Sequence, residues 1–153
     1  MRVSRAEAHQ APLVHAVMQA AFEELRAVLQ PPSGAHAESV ADVERVMAEG
    51  GAVLAWDADQ PVGSARFVLY PEHVYVGRVS VLPTHRRRGI ATAMMRFLED
   101  LARQAGRRSV EIAARASLPS NVRLYEALGY EVVRVEPHPR GPQMSVVHMR
   151  KWL

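Results

Sequence analysis

The sequence predicts an α/β fold of the α+β kind in one domain, on three observations. The chain has 153 residues, enough for one domain that buries roughly two thirds of its unfolded surface without covalent staples. Residues 79 to 112 read as a strand, a glycine-bearing turn, an amphipathic helix and a second strand, a crossover unit that lays both strands parallel in one sheet. Two helical segments and a hairpin precede that unit, and a short helix with two strands follows it.

Each element has its own warrant. After a short strand at Met1 to Val3, Ser4 stands where it could cap a helix whose apolar residues Leu13, Val14, Val17, Met18, Ala21, Phe22 and Leu25 recur at helical spacing. Gln30-Pro-Pro-Ser-Gly34 breaks it. A second helix runs from Ser39 to Glu49, with Val40, Val43, Val46 and Met47 on one face and Gly50-Gly51 as its stop. The connector between these helices is polar, long and rich in turn residues, which marks it as a substrate-side loop. Ala52 to Trp56 and Pro61 to Leu69 form an antiparallel hairpin around Asp57-Ala-Asp-Gln60. Tyr70-Pro-Glu-His73 then turns the chain into Val74 to Val81. The helix from Thr92 to Gln104 ends at Gly106, and Ser109 to Ala113 is the next strand, with Val110-Glu-Ile112 and Val79-Ser-Val81 expected to lie parallel in one sheet. Leu118-Pro-Ser-Asn121 opens a short helix to Leu128, Gly129 closes it, and Tyr130 to Val135 and Met144 to Trp152 are the last strands.

The most telling stretch is Val79-Ser-Val-Leu-Pro-Thr-His-Arg-Arg-Arg-Gly-Ile-Ala-Thr92. A helix opened through such a turn presents unpaired backbone N–H groups, backed by the positive end of its dipole, to any phosphate. Arg86-x-x-Gly89-x-Ala91 is similar to the Q/R-x-x-G-x-G/A signature of the GNAT superfamily of N-acetyltransferases, with alanine where many members carry glycine. Asn121-x-x-x-Tyr125 followed by Gly129-Tyr130 resembles the family's second motif, in the right order and separation, so the resemblance covers essentially the whole chain. It implies a central mixed, mostly antiparallel sheet of about six to seven strands, splayed between its two parallel central strands and flanked by about four helices. A P-loop would need G-x-x-x-x-G-K-[ST], but the only lysine is Lys151, and a Rossmann fingerprint would need three glycines where this turn has one. Arg86-Arg87-Arg88 alone would read as a solvated basic corner or a nucleic-acid patch; the turn and the second motif outweigh that reading.

Composition narrows the classes further. With no cysteine, the chain has no disulfide, thiolate metal site or cysteine nucleophile and needs no oxidising compartment. No signal-peptide core occurs at the start and no run of eighteen apolar residues occurs anywhere, so a soluble, cytoplasmic protein is expected, with no membrane partner. A net charge of +3 does not imply nucleic acid, since the high pI of about 9.8 reflects arginine in place of lysine. The seven histidines show no pair at metal-ligand spacing on one element, and no metal is expected.

The resemblance implies acetyl-CoA as donor, its pyrophosphate received by the amides of Arg87, Arg88, Gly89, Ile90 and Ala91, with Arg86 and Thr92 bounding the turn. Its pantetheine arm would pair with main-chain groups of Val79, Ser80 and Val81. Tyr125 matches the family's general acid, a phenol with a reference pKa of about 10 that stays protonated at neutral pH. Asn121 would cap its helix and touch the cofactor arm. Many relatives place a carboxylate base on the strand before the cradle, but this chain has Gly77-Arg78 there. Glu111, Glu72, His73 or a chain of water molecules remain candidates for the base. Glu136-Pro-His-Pro-Arg-Gly-Pro142 either rims the acceptor pocket or is an exposed proline-rich loop.

The expected reaction is transfer of acetyl to a primary amine, of a small molecule before a protein, by direct attack in a ternary complex. A non-catalytic acyl-CoA-binding module on the same fold is the alternative, and it would need no Tyr125. A small nucleic-acid-binding protein is a third reading, for which no helix-turn-helix, zinc finger or aromatic-interleaved basic stretch is present. A homodimer accords with the resemblance, and no stretch of sequence singles out its interface.

Overall fold

Alternating and continuous apolar runs produce one seven-stranded sheet, and amphipathic segments produce the helices that cover it. The computed structural model describes residues 1–29, 32–139, 141 and 144–153. In chain order the elements are β1 (Arg2–Arg5), α1 (Ala11–Phe22), α2 (Val40–Glu49), β2 (Gly50–Asp57), β3 (Gln60–Leu69), β4 (His73–Val81), α3 (Ile90–Gln104), β5 (Ser109–Arg115), α4 (Pro119–Ala127), β6 (Glu131–Glu136) and β7 (Val146–Trp152). Across the sheet the strands lie in the order β1-β2-β3-β4-β5-β7-β6, and among the described residues only β4 and β5 pair in parallel.

Each face of the sheet is closed by one pair of helices. Met94, Met95, Leu98 and Ala102 of α3 pack with Tyr125 of α4 on Val53, Phe67, Val74, Val76, Val110 and Ile112. Val14 and Met18 of α1 and Val43 of α2 pack on Ala52, Leu54 and Trp56 on the opposite face. Burying each of the larger side chains contributes about 1.5–3 kcal/mol. Gly63 brings α3 close to the sheet, because a Cβ there would meet Ile90 Cγ2 at 2.9 Å and Met94 Cε at 3.1 Å. The first turn of α3 is thereby seated directly above β3.

Several sequence expectations shift at the boundaries. Ser4 caps no helix: it pairs with Leu54 inside β1, and its Oγ accepts a hydrogen bond from Trp56 Nε1 at 3.0 Å. Instead α1 follows a 3-10 turn at Ala8–Gln10, with Pro12 in its first turn, where a missing N–H costs nothing. It stops at Phe22, and Leu25 falls in a further 3-10 turn; Gln30 and Pro31 of the expected breaker lie outside the described residues. Ser39 does cap α2, in a reciprocal box with Asp42, and Gly50 ends it while opening β2. The two-residue hairpin turn at Ala58 and Asp59 falls where it was expected, with Ala58 at φ 51°. α3 begins two residues early, at Ile90, because Gly89 itself is the N-cap.

A buried polar cluster ties the last strand to α3. Glu99 is 3% exposed, its Oε1 accepts from Lys151 Nζ at 2.9 Å, and its Oε2 accepts from the Tyr130 hydroxyl at 2.8 Å. Lys151→Met would leave the carboxylate without its cation, at a cost of about 3–5 kcal/mol. The expected fall in Tm is roughly 6–20 °C. Adding Glu99→Gln should restore most of it in a thermal scan; a Lys151→Met protein that melts with the wild type would show the pair to be idle.

Candidate active site

The site begins with an extra residue in β4. Between the register pairs Ser64↔Ser80 and Arg66↔Gly77, β3 has one residue, Ala65, where β4 has two, Arg78 and Val79. Arg78 takes φ 51°, a left-handed conformation uncommon for a residue with a side chain. The bulge bends β4 away from β5. Their parallel pairing holds Val74, Tyr75 and Val76 against Val110, Glu111 and Ile112, and among the described residues it goes no further. The strands holding Val79-Ser-Val81 and Val110-Glu-Ile112 thus run parallel in one sheet as expected, with the pairing itself made by His73 to Val76. The strands splay beyond Val76, and the main-chain edge of Val79 to Val81 that faces β5 opens into a cleft.

At the top of the splay stands the helix start. Gly89 has φ 77° and Arg87 φ 62°, a pair of left-handed residues that gather successive N–H groups on one side of the turn. No side chain caps α3. Its first amides therefore have neither an intrahelical acceptor nor a capping oxygen, and they face a cleft of about 380 Å³. A Cβ at Gly89 would meet nothing within 4 Å, so glycine serves here for its conformation and the space beside it is open. Two contacts brace the turn. His85 Nε2 donates to Asp57 Oδ2 at 2.9 Å while Nδ1 accepts from the Thr84 hydroxyl at 2.8 Å. Arg86 pairs with Glu24 and donates through Nη2 to the Ala21 carbonyl at 3.1 Å, fastening the turn to the end of α1.

Tyr125 lies in α4 with 5% of its surface exposed, in edge-on contact with Tyr130 at 6.1 Å. Burial pushes its phenol well above the ordinary 10.0, so the hydroxyl keeps its proton. The expectation that Asn121 caps this helix is corrected: Leu118 holds the N-cap position and Pro119 the first turn, which leaves Asn121 inside the helix.

A second cavity, also about 380 Å³, opens on the other side of the splay under the connector between α1 and α2. Phe22, Val79, Leu118, Asn121 and Tyr125 line both spaces, so Tyr125 stands in their common wall. Ser33 and Gly34 of the connector form part of the second cavity. Among the described residues its charged lining consists of Arg66, Arg78 and Arg115. Glu38 reaches Arg66 and receives Arg78 Nη2 at 2.9 Å. Burial would raise the Glu38 carboxyl, but hydrogen bonds and charge from these two arginines outweigh it and hold the group below its ordinary 4.5.

The structure brings Val79, Ser80, Val81, Arg86, Arg87, Gly89, Ile90, Ala91, Thr92, Asn121 and Tyr125 to the first cleft. Arg88 is exposed and outside the lining. Glu111, Glu72 and His73 line neither cavity. Glu111 is held by Arg150 at 2.7 Å and His73 at 2.9 Å, and Glu72 pairs with Arg108 at 3.3 Å. Of the proline-rich loop, Arg140 and Pro142 lie outside the described residues. The arginine cavity is the feature the sequence reading missed, and its local signal was Arg66, the one charged residue of β3. Among the described residues no three His, Asp or Glu side chains gather as a metal site, and no helix is long and apolar enough to cross a membrane.

The splayed mixed sheet and the uncapped helix start define the class of fold, and comparison with known proteins gives that fold its family. The profile of the acetyltransferase (GNAT) family matches residues 13–130, and the chain belongs to that family. An 83-residue stretch, 52% of this chain, is 32% identical to the N-terminal acetyltransferase B complex catalytic subunit naa20 of Schizosaccharomyces pombe. It spans 46% of that protein, so the chain matches about half the length of this curated relative. Among solved structures, Ard1 from Thermoplasma volcanium superposes with a TM-score of 0.79 at 16% identity, over 99% of this chain and 97% of that one. An aminoglycoside 6'-N-acetyltransferase complexed with coenzyme A gives 0.76 at 19% identity, again over 99% and 97%. At such identities these two show the shared fold.

Proposed function

We propose that this single-domain chain transfers an acetyl group from acetyl-CoA to a primary amine of a small acceptor, by direct attack in a ternary complex. The observation that carries this reading is the meeting of two cavities at one buried phenol, since a transferase needs separate entries for donor and acceptor and a proton where they join. A binding module would need only the first cleft.

The residues present fit the donor. The orphan amides from Arg87 to Ala91 would donate to the pyrophosphate, and the glycine conformation at 89 keeps them convergent. Val79, Ser80 and Val81 would pair along the open edge with the amide groups of the pantetheine arm, as an added strand pairs. Arg86 holds the cradle to α1 and is assigned a positioning role, and the exposed Arg87 and Arg88 would add positive potential without a fixed contact. Asn121 would steady the arm beside the reacting end. When bound, acetyl-CoA supplies the activated acyl group as a thioester. Tyr125 would hold a proton on its Oη and deliver it to the departing sulfur. The reaction draws on a cytoplasmic donor, and we place the chain there.

The test is a screen of primary amines for acetyl-CoA-dependent release of free thiol, followed with a thiol-reactive chromophore. At least one small amine is expected to raise release well above hydrolysis, with a mass increase of one acetyl on that amine. Acetyl-CoA binding without release against a broad panel would favour the binding module.

A further inference from the structure

The second cavity has an unbalanced charge. Arg66 and Arg78 share one carboxylate, Glu38, whose side chain is 16% exposed, while the Arg66 side chain is only 11% exposed. Two guanidinium groups on one carboxylate leave a net positive charge in a half-enclosed space. No acidic side chain lines the cavity among the described residues. Desolvated charge is costly unless an opposite charge meets it. Tyr75, on the same wall, adds a hydroxyl that burial keeps protonated as a donor. The arrangement is specific to the bulge at Arg78 and to Gly34, where a Cβ would stand 2.9 Å from Arg78 Nη2. Without a side chain at Gly34, the guanidinium has room beneath the connector.

We infer that the acceptor is a small amine bearing an anionic group of carboxylate or phosphate type, seated on Arg66 and Arg78 with its amine directed toward the wall at Tyr125. The inference rests on the transferase reading and narrows its acceptor. Guanidinium forks match both anions bidentately, and polycations such as polyamines or aminoglycosides would be repelled. The same charge explains how an amine could react where, among the described residues, no carboxylate lines the cavity. Neighbouring cations disfavour the ammonium form, so an acceptor tethered by its anion loses a proton more readily than it does in water.

The experiment compares thiol release for L-amino acids, their amides, an aminoalkylphosphonate and spermidine. Amino acids or the phosphonate should exceed the matched amides by about thirtyfold or more in kcat/KM, the size of one charge-assisted contact. Which of the two leads identifies carboxylate or phosphate as the natural group. In Arg78→Gln the preference for acid over amide should fall by roughly the same factor, mainly through KM, and Arg78→Lys should recover part of it. The acid limb of the kcat/KM profile should move to higher pH in Arg78→Gln, which a merely structural arginine would not cause. Amides or spermidine used as well as the acids would overturn the anion site and leave the transferase intact. Calorimetry on the CoA-bound protein separates the other failure: amino acids that bind and amides that do not, with no thiol released from any acceptor, would sink the transferase and uphold the anion site.

Discussion

Gly89→Glu is expected to abolish acetyl-CoA binding in a calorimetric titration, with Kd raised roughly hundredfold or more. Two effects combine. Any side chain at φ 77° carries the left-handed penalty of about 1–2 kcal/mol, and the carboxylate adds like-charge repulsion where the diphosphate is proposed to sit. Gly89→Ala separates them, because its Cβ would meet nothing within 4 Å and brings only the conformational cost. Alanine should therefore weaken binding by about tenfold, in proportion to that strain. If glutamate and alanine bind the donor equally well, the phosphates lie elsewhere than at the start of α3.

How much of this was legible beforehand depends on whether the signal is local. Caps and periodicity are local, so the hairpin, α2 with its Ser39 cap, and the crossover through α3 stood in the sequence nearly as they fold. Ser4 misled because a serine before an apolar run satisfies a helix cap and a strand equally well, and pairing with β2 decided for the strand. The turn before α3 was readable because one glycine must take positive φ and the first helical amides must go unpaired, both consequences of a short motif. The bulge was not readable, since nothing about Arg78 marks it for φ 51° until Ala65 stands alone opposite two residues. Nor was the arginine cavity, which is assembled across distance: Glu38 is 28 residues from Arg66 and 40 from Arg78. A charge cluster built from three separate elements leaves no spacing to recognise. That Gly77-Arg78 offers no carboxylate was plain in the sequence, whereas the place of the Arg78 guanidinium in a cavity with Arg66 was not.

Tyr125→Phe is expected to leave acetyl-CoA affinity nearly intact and to lower kcat by about a hundredfold or more, the loss typical of a missing general acid. Burial makes the phenol a weaker acid than in water, which argues at first against its donating a proton at all. The departing thiolate would form in the same desolvated wall, however, and its basicity rises for the same reason, so the match between donor and acceptor is kept. Because the folded value lies above 10.0, kcat should show no alkaline decline from this group through pH 10. Stability gives an independent reading. A tyrosine whose folded pKa is raised contributes fully below its unfolded value and loses that contribution as pH climbs from there through the folded one. Wild-type stability should therefore fall above about pH 10, and Tyr125→Phe should remove its share of that fall while Tyr130, raised by burial and by its bond to Glu99, and Tyr75, raised by burial, keep the rest. A variant that loses the alkaline transition yet turns over at the wild-type rate would strip Tyr125 of its chemistry and leave it a packing residue. One that loses turnover at unchanged donor affinity would place the proton where the two cavities meet.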